Sequence, residues 1–139
     1  MSVIGDHRDA ILSRLLSEID GIVPTKQAGK NVQARGRRPA SARAVVDVWT
    51  SGTAYDLSAE MLAVHQGETW RWLFHIESAT DELAFQVLEE IRAALCPADG
   101  WSPDLEDSGN LEMEDWAPLG QTETGYVVWC SMIHDRFEG

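Results

Sequence analysis

The chain has 139 residues, 44% hydrophobic and 24% charged, the make-up of one folded domain that buries about two-thirds of its unfolded surface. Eleven Gly and five Pro exclude a fibrous or low-complexity chain, and no apolar run approaches the roughly 20 residues that cross a bilayer. A net charge of −12, from 11 Lys/Arg against 23 Asp/Glu, argues against DNA or an anionic membrane as the main partner.

The first predicted element is a helix over residues 6–20. Ile4, Ile11, Leu12, Leu15, Leu16 and Ile19 fall on one face at three-, four- and seven-residue spacing, and Gly21 supplies a stop. Residues 22–42 follow as a long loop with Pro24, Gly29, Gly36 and Pro39 and almost no periodicity. A connection of that length inside a small domain signals function or disorder. It is also basic. Lys26, Lys30, Arg35, Arg37, Arg38 and Arg43 place six of the eleven basic residues in one acid-free stretch.

Residues 43–50 (RAVVDVWT) are rich in β-branched side chains and read as a strand. Residues 55–59 read as a connection. Residues 61–65 and 69–77 then flank Gln66-Gly67-Glu68, the pattern of a hairpin turn. In the second arm Trp70, Trp72, Phe74 and Ile76 share one face, expected in the core. Thr69, Arg71, His75 and Glu77 share the other, expected to be wet.

Residues 80–95 form the clearest helix. Ser78 or Thr80 can cap it, Asp81 and Glu82 suit its first turn, and Leu83, Val87, Leu88, Ile91 and Leu95 form the stripe before Pro97. A polar loop carrying Trp101 leads to an alternating strand at 111–116. Residues 126–135 (YVVWCSMIHD), apolar on both alternating sets, predict a strand inside the sheet. The order α-β-β-β-α-β-β predicts a single α+β domain over 1–139, with two helices packed on one face of a mainly antiparallel sheet.

Catalytic signatures are missing from the sequence. There is no phosphate-binding Gly-rich loop, no GxSxG elbow and no HExxH. His65 and His75 can approach across the hairpin, but no third and fourth ligands stand at metal spacing. Cys96 and Cys130 read as small buried hydrophobes. Glu89-Glu90, Glu106-Asp107 and Glu114-Asp115 read as solvated surface rather than acid–base pairs. The expectation is a protein without catalytic residues, metal or cofactor.

Six tryptophans carry more weight. Trp70 and Trp72 belong to the core face, and Trp49 and Trp129 suit a core as well. Trp101 and Trp116 lie in the last third, where ten acids accompany one base, Arg136. A large aromatic there is a lid on the core or an interface anchor.

The whole-chain pattern resembles a family. A short helix (DAILSRLLSEI) leads to a long polar loop and three strands. A strand gives way to a helix in HIESATDELAFQVLEEIRAAL, and an acidic stretch (LEMEDWAPL) precedes a closing aromatic strand (GYVVWCSMIHDRF). This is similar to the tail terminator, or tail-completion, proteins of long-tailed phages and phage-derived contractile particles. The resemblance implies a structural protein of the virion tail, assembled in the host cytoplasm. It implies a homohexameric ring that caps the head-proximal end of the tail tube and stops its polymerisation. The partners implied are the tail tube protein, a neck or head–tail connector protein and the sheath protein, with DNA met only in passing through the ring lumen, and no membrane. The interface residues expected from charge and aromaticity are Lys26, Lys30, Arg35, Arg37, Arg38, Arg43, Trp101 and Trp116. The competing reading is a small acidic inhibitor or immunity protein that binds a basic partner.

Residues 1–6 have neither a basic start nor an apolar stretch. No export signal is expected from them.

Overall fold

The computed structural model describes residues 3–25, 42–56, 66–103, 109–123 and 125–138. α1 (Val3–Glu18) is followed by β1 (Ile22–Thr25), β2 (Ala44–Asp56), β3 (Gln66–Ser78), α2 (Asp81–Leu95), β4 (Glu112–Thr122) and β5 (Gly125–Glu138). The five strands form one sheet in the order β1-β2-β3-β5-β4, antiparallel except for the β1–β2 pair. The class is α+β and the order α-β-β-β-α-β-β, as expected from the sequence.

The three strands between the helices are not the three that the pattern suggests. Ile22–Thr25, read as the start of the loop, is a strand paired in parallel with β2, Ile22 opposite Ala44. Four residues with a proline carry no period to recognise. The proline is tolerated because β1 is an edge strand. Parallel neighbours cannot be joined by a tight turn and need a crossover of roughly a dozen residues or more. That accounts for the length of the stretch between Thr25 and Ala44. Its residues 26–41 lie outside the described residues, as does the strand expected at 61–65.

Gln66-Gly67-Glu68 is not a turn. These residues belong to β3, where Gln66 pairs with Asp56 on one side and Glu138 on the other. β2 likewise runs on to Asp56, so Tyr55 is strand rather than connection. β3 is the central strand, held on both sides, and this two-sided pairing carries the ladder through residues with weak strand preference. β5 lies inside the sheet, as its two apolar faces predict.

Both helices cover one face. Their buried residues meet Val46 and Val48 of β2, Trp70, Trp72, Phe74 and Ile76 of β3, and Val128, Cys130 and Met132 of β5 in a single core. Burying each large apolar side chain stabilises the fold by about 1.5–3 kcal/mol. In α1 the inward stripe is His7, Ile11 and Leu15, continued by Ile19 beyond the helix. Ile4 and Leu16 are exposed at 48% and 61%, so the apolar face is narrower than its sequence spacing suggests. The four-residue steps from His7 to Ile19 keep these side chains in line, and Leu16 falls off that line. Gly21 turns the chain from α1 into β1 at φ +74°, where a side-chain carbon would press on Arg43 Cδ at 2.9 Å.

α2 follows its predicted pattern closely. Thr80 caps it by accepting from the Leu83 N–H at 3.3 Å, with Asp81 and Glu82 in the first turn. Ala84, Val87, Leu88, Ile91, Ala94 and Leu95 are buried. Arg14 of α1 donates to the Ala94 carbonyl at 3.0 Å and ties the two helices together.

Candidate interaction surface

Among the described residues, the last third of the chain builds a sheet edge, β4, paired on one side with β5. β4 extends well past the expected strand at 111–116, reaching Thr122 and turning directly into β5, with Thr122 opposite Gly125. Pro118 and Gly120 disguise it as loop; the proline is tolerated at an edge strand beside a bulge. The ladder slips between Met113 and Asp115 and again between Pro118 and Gly120. Such bulges re-aim side chains. Leu119 at the second bulge is 58% exposed, and Trp116 is 51% exposed.

The two sides of β4 differ chemically. Met113 and Trp116 pair with Met132 and Cys130, so they lie on the helix-covered side. There Trp116 meets Phe85 of α2 edge-on at 6.3 Å, and Phe85 meets Tyr126 at 5.8 Å. Phe85, Leu88, Glu89, Arg92, Met113 and Trp116 line a groove of about 280 Å³ between α2 and the edge. Glu112 and Asp115 pair with Ile133 and Ser131 and lie on the opposite side, both exposed. The edge is thus acidic on one side and aromatic on the other.

Glu114, at the first bulge, is committed elsewhere. Arg71 donates to both of its oxygens, Nε at 2.6 Å and Nη2 at 2.5 Å, and the Ser131 hydroxyl donates at 2.7 Å. These bonds hold the Glu114 carboxyl down at about 2, the Arg71 hydrogen bonds being the main cause.

The helix-free face is less wet than its alternation predicts. Arg71 is exposed, but His75 and Glu77 are buried, together with Val45, Asp47 and Val127. His75 stands between Asp47 and Trp129 in the ladder, and Glu77 between Val45 and Val127. Neighbours on both sides therefore shield them, and the Trp49 ring lies 6.4 Å from that of His75. Trp49 and Trp129, suited to a core by sequence, sit half-buried on this face instead.

The expected interface residues separate. Lys26, Lys30, Arg35, Arg37 and Arg38 lie outside the described residues. Arg43 is tied into the fold. Its Nη1 donates to the Asp20 carbonyl at 2.9 Å and to Glu90 at 3.0 Å, and its Nη2 donates to the second Glu90 oxygen. Hydrogen bonding to Glu90 raises the Arg43 pKa further. Trp101 is half-buried against the core, the lid position, with the Arg14 guanidinium 5.5 Å over its ring. Trp116 alone of the two late tryptophans faces solvent. Phe85, Met113 and Leu119 join it without having been singled out by sequence, since nothing local marks β4 as an edge.

Elsewhere, His7 and His134 are buried in an aromatic cluster with Trp70 and Trp72. Trp72 Nε1 donates to His134 Nε2 at 3.3 Å. Cys130 is fully buried, which pushes its thiol up to about 12, and half-buried Cys96 is raised by the same desolvation. His65, half of the two-histidine idea, lies outside the described residues. Among the described residues no group of three or more His, Cys, Asp or Glu is placed to hold a metal ion. No described helix is long and apolar enough to cross a membrane.

The chain matches no protein-family model and no curated protein.

Proposed function

We propose that this chain is a structural assembly protein of the tail-terminator kind. It forms a six-fold ring that caps the head-proximal end of a tail tube, stops tube growth and offers a docking surface to the neck. Its role is non-enzymatic. The observation that carries the reading is the β4 edge, which among the described residues pairs only with β5 and carries exposed Trp116 and Leu119 beside exposed Glu112 and Asp115. Exposed aromatics on an edge strand are what an assembly contact uses. The other edge, β1, leads straight into the basic stretch from Lys26 to Arg38. A contact between two chemically different edges is head to tail, and such a contact forms a ring when its rotation closes.

Charge adds a requirement. Six copies at −12 each put about −72 on one ring. Exposed charges farther apart than about 8 Å are screened at physiological salt, so only close basic–acidic contacts offset that repulsion.

The test is tail length by negative-stain imaging of particles produced without this gene. Overlong, irregular or headless tails are expected. Normal tails of fixed length, joined to heads, would overturn the reading. The acidic inhibitor reading shares the exposed Trp116 and the acidic edge, and stoichiometry separates the two. An inhibitor binds one basic partner as a monomer or dimer, whereas a terminator has a six-copy mass.

A further inference from the structure

We infer that each copy seats the outer ridge of its α1 helix, Leu12 and Leu16, in the groove between α2 and β4 of the next copy. The inference rests on the ring reading above and names its contact. Three observations carry it.

First, the ridge and the groove stand at opposite ends of one layer. Among the strands, α1 packs mainly on β1 and β2, and α2 on β3 and β5, so the helices follow the sheet from its β1 edge toward its β4 edge. Arg14 marks the side of α1 that meets α2, through its bond to the Ala94 carbonyl. Successive helical residues turn by roughly 100°, so Leu12 and Leu16, each two positions from Arg14, point away from α2. The groove lies on the far side of α2, against β4. A chain therefore cannot bring its own ridge to its own groove, and the contact is made between copies.

Second, the two surfaces suit each other in shape. Leu12 and Leu16 are four residues apart on α1 and line up as one ridge. Leu16 is the most exposed large apolar side chain among the described residues, and Leu119 on β4, at the other end of the molecule, is next. The groove, of about 280 Å³, is lined by Phe85, Leu88, Met113 and Trp116, with Glu89 and Arg92 on its α2 side. Laying spaced apolar anchors of a helix into such a groove is a recurrent mode of recognition.

Third, the charges beside the two surfaces are complementary. Arg8 and Asp9 stand about one turn before Leu12, with side chains 33% and 59% exposed. With the leucines seated, Arg8 suits Glu89 and Asp9 suits Arg92. Packing groove against groove would instead leave both leucine ridges in water. The head-to-tail contact covers ridge and groove alike, and it runs in one direction around a ring.

Native mass spectrometry on the full chain tests the contact with two variants. Leu16→Gln spoils the ridge alone, and Trp116→Ala spoils the groove alone. Both side chains are more than half exposed, so circular dichroism and the melting midpoint are expected to stay near wild type. Each variant by itself is expected to need a concentration about tenfold higher or more to reach the six-copy mass. Mixed in equal amounts, the two are expected to form a pair holding one of each. The intact ridge of Trp116→Ala enters the intact groove of Leu16→Gln, and the two spoiled surfaces stop further growth.

Either variant assembling alone like wild type would overturn the inference. So would a mixture that holds no mixed pair, or that regains the six-copy mass, while wild type assembles. These results leave the ring reading standing. A wild-type chain that never exceeds a single copy, even on tail tubes, would remove the ring reading and this contact with it.

Discussion

Arg71 and Glu114 meet across an intervening strand. Arg71 is on β3 and Glu114 on β4, with β5 between them, yet two hydrogen bonds of 2.6 and 2.5 Å join the side chains. Only a side chain as long as arginine bridges two strand spacings, about 9.6 Å, and the bulge at Glu114 turns the carboxylate toward it. Ser131, on the strand being crossed, donates to the same carboxylate. The pair fastens the edge strand to the centre of the sheet.

A pH dependence follows. Glu114 is held at about 2 in the folded protein, below the ordinary value of about 4.5. A carboxyl with a depressed folded pKa contributes stability that is fully present above its unfolded pKa. That contribution is lost as pH falls from about 4.5 to about 2. Glu114→Gln is therefore expected to lower the melting midpoint at pH 7, with the gap to wild type shrinking through that window and closing near pH 2. Thermal melts at several pH values check it; a gap constant with pH would show that the ion pair is energetically idle.

Arg43 is expected to behave as a folding residue. Its guanidinium joins the turn after α1, the start of β2 and Glu90 on α2. Because the pair is partly exposed, Arg43→Ala is expected to cost only about 0.5–1 kcal/mol in urea unfolding. Reversing Arg35, Arg37 and Arg38 to Glu is expected to leave that unfolding curve unchanged and to abolish assembly.

The Trp72–His134 hydrogen bond joins two buried side chains. His134→Leu leaves the Trp72 N–H without its acceptor, and a buried unsatisfied donor costs about 1–3 kcal/mol. Equilibrium unfolding in urea is expected to show a loss of that size. A change under 0.5 kcal/mol would mean that the indole finds another acceptor.

Trp116 is expected to separate stability from assembly. Half of its surface is already exposed, and its one described ring contact is edge-on to Phe85. Trp116→Ala is therefore expected to change unfolding free energy by less than about 1 kcal/mol. Assembly is expected to weaken in the same protein. A cooperative loss of several kcal/mol on unfolding would make Trp116 a core residue instead.

The local patterns that spelled out this protein were those with an unbroken period. The Leu83–Leu95 stripe with Thr80 before it and Pro97 after it specified α2, and Trp70, Trp72, Phe74 and Ile76 specified the core face of β3. In both, each residue's fate depends on neighbours within one turn or one pleat. Charge, too, is a property of the chain itself, and the basic stretch and acidic last third needed no fold to be seen.

What only the tertiary structure decided depends on partners distant in sequence. Ile22–Thr25 is a strand because β2 lies beside it, and β4 continues through Pro118 and Gly120 because β5 holds it from one side. His75 and Glu77 are buried because strands flank β3 on both sides. Arg43 belongs to the fold because Glu90, 47 residues away, reaches it, and Trp101 closes the core while Trp116 faces water. Position in the sheet is a property of the whole chain, so alternation alone cannot say which strand is an edge or which face is covered.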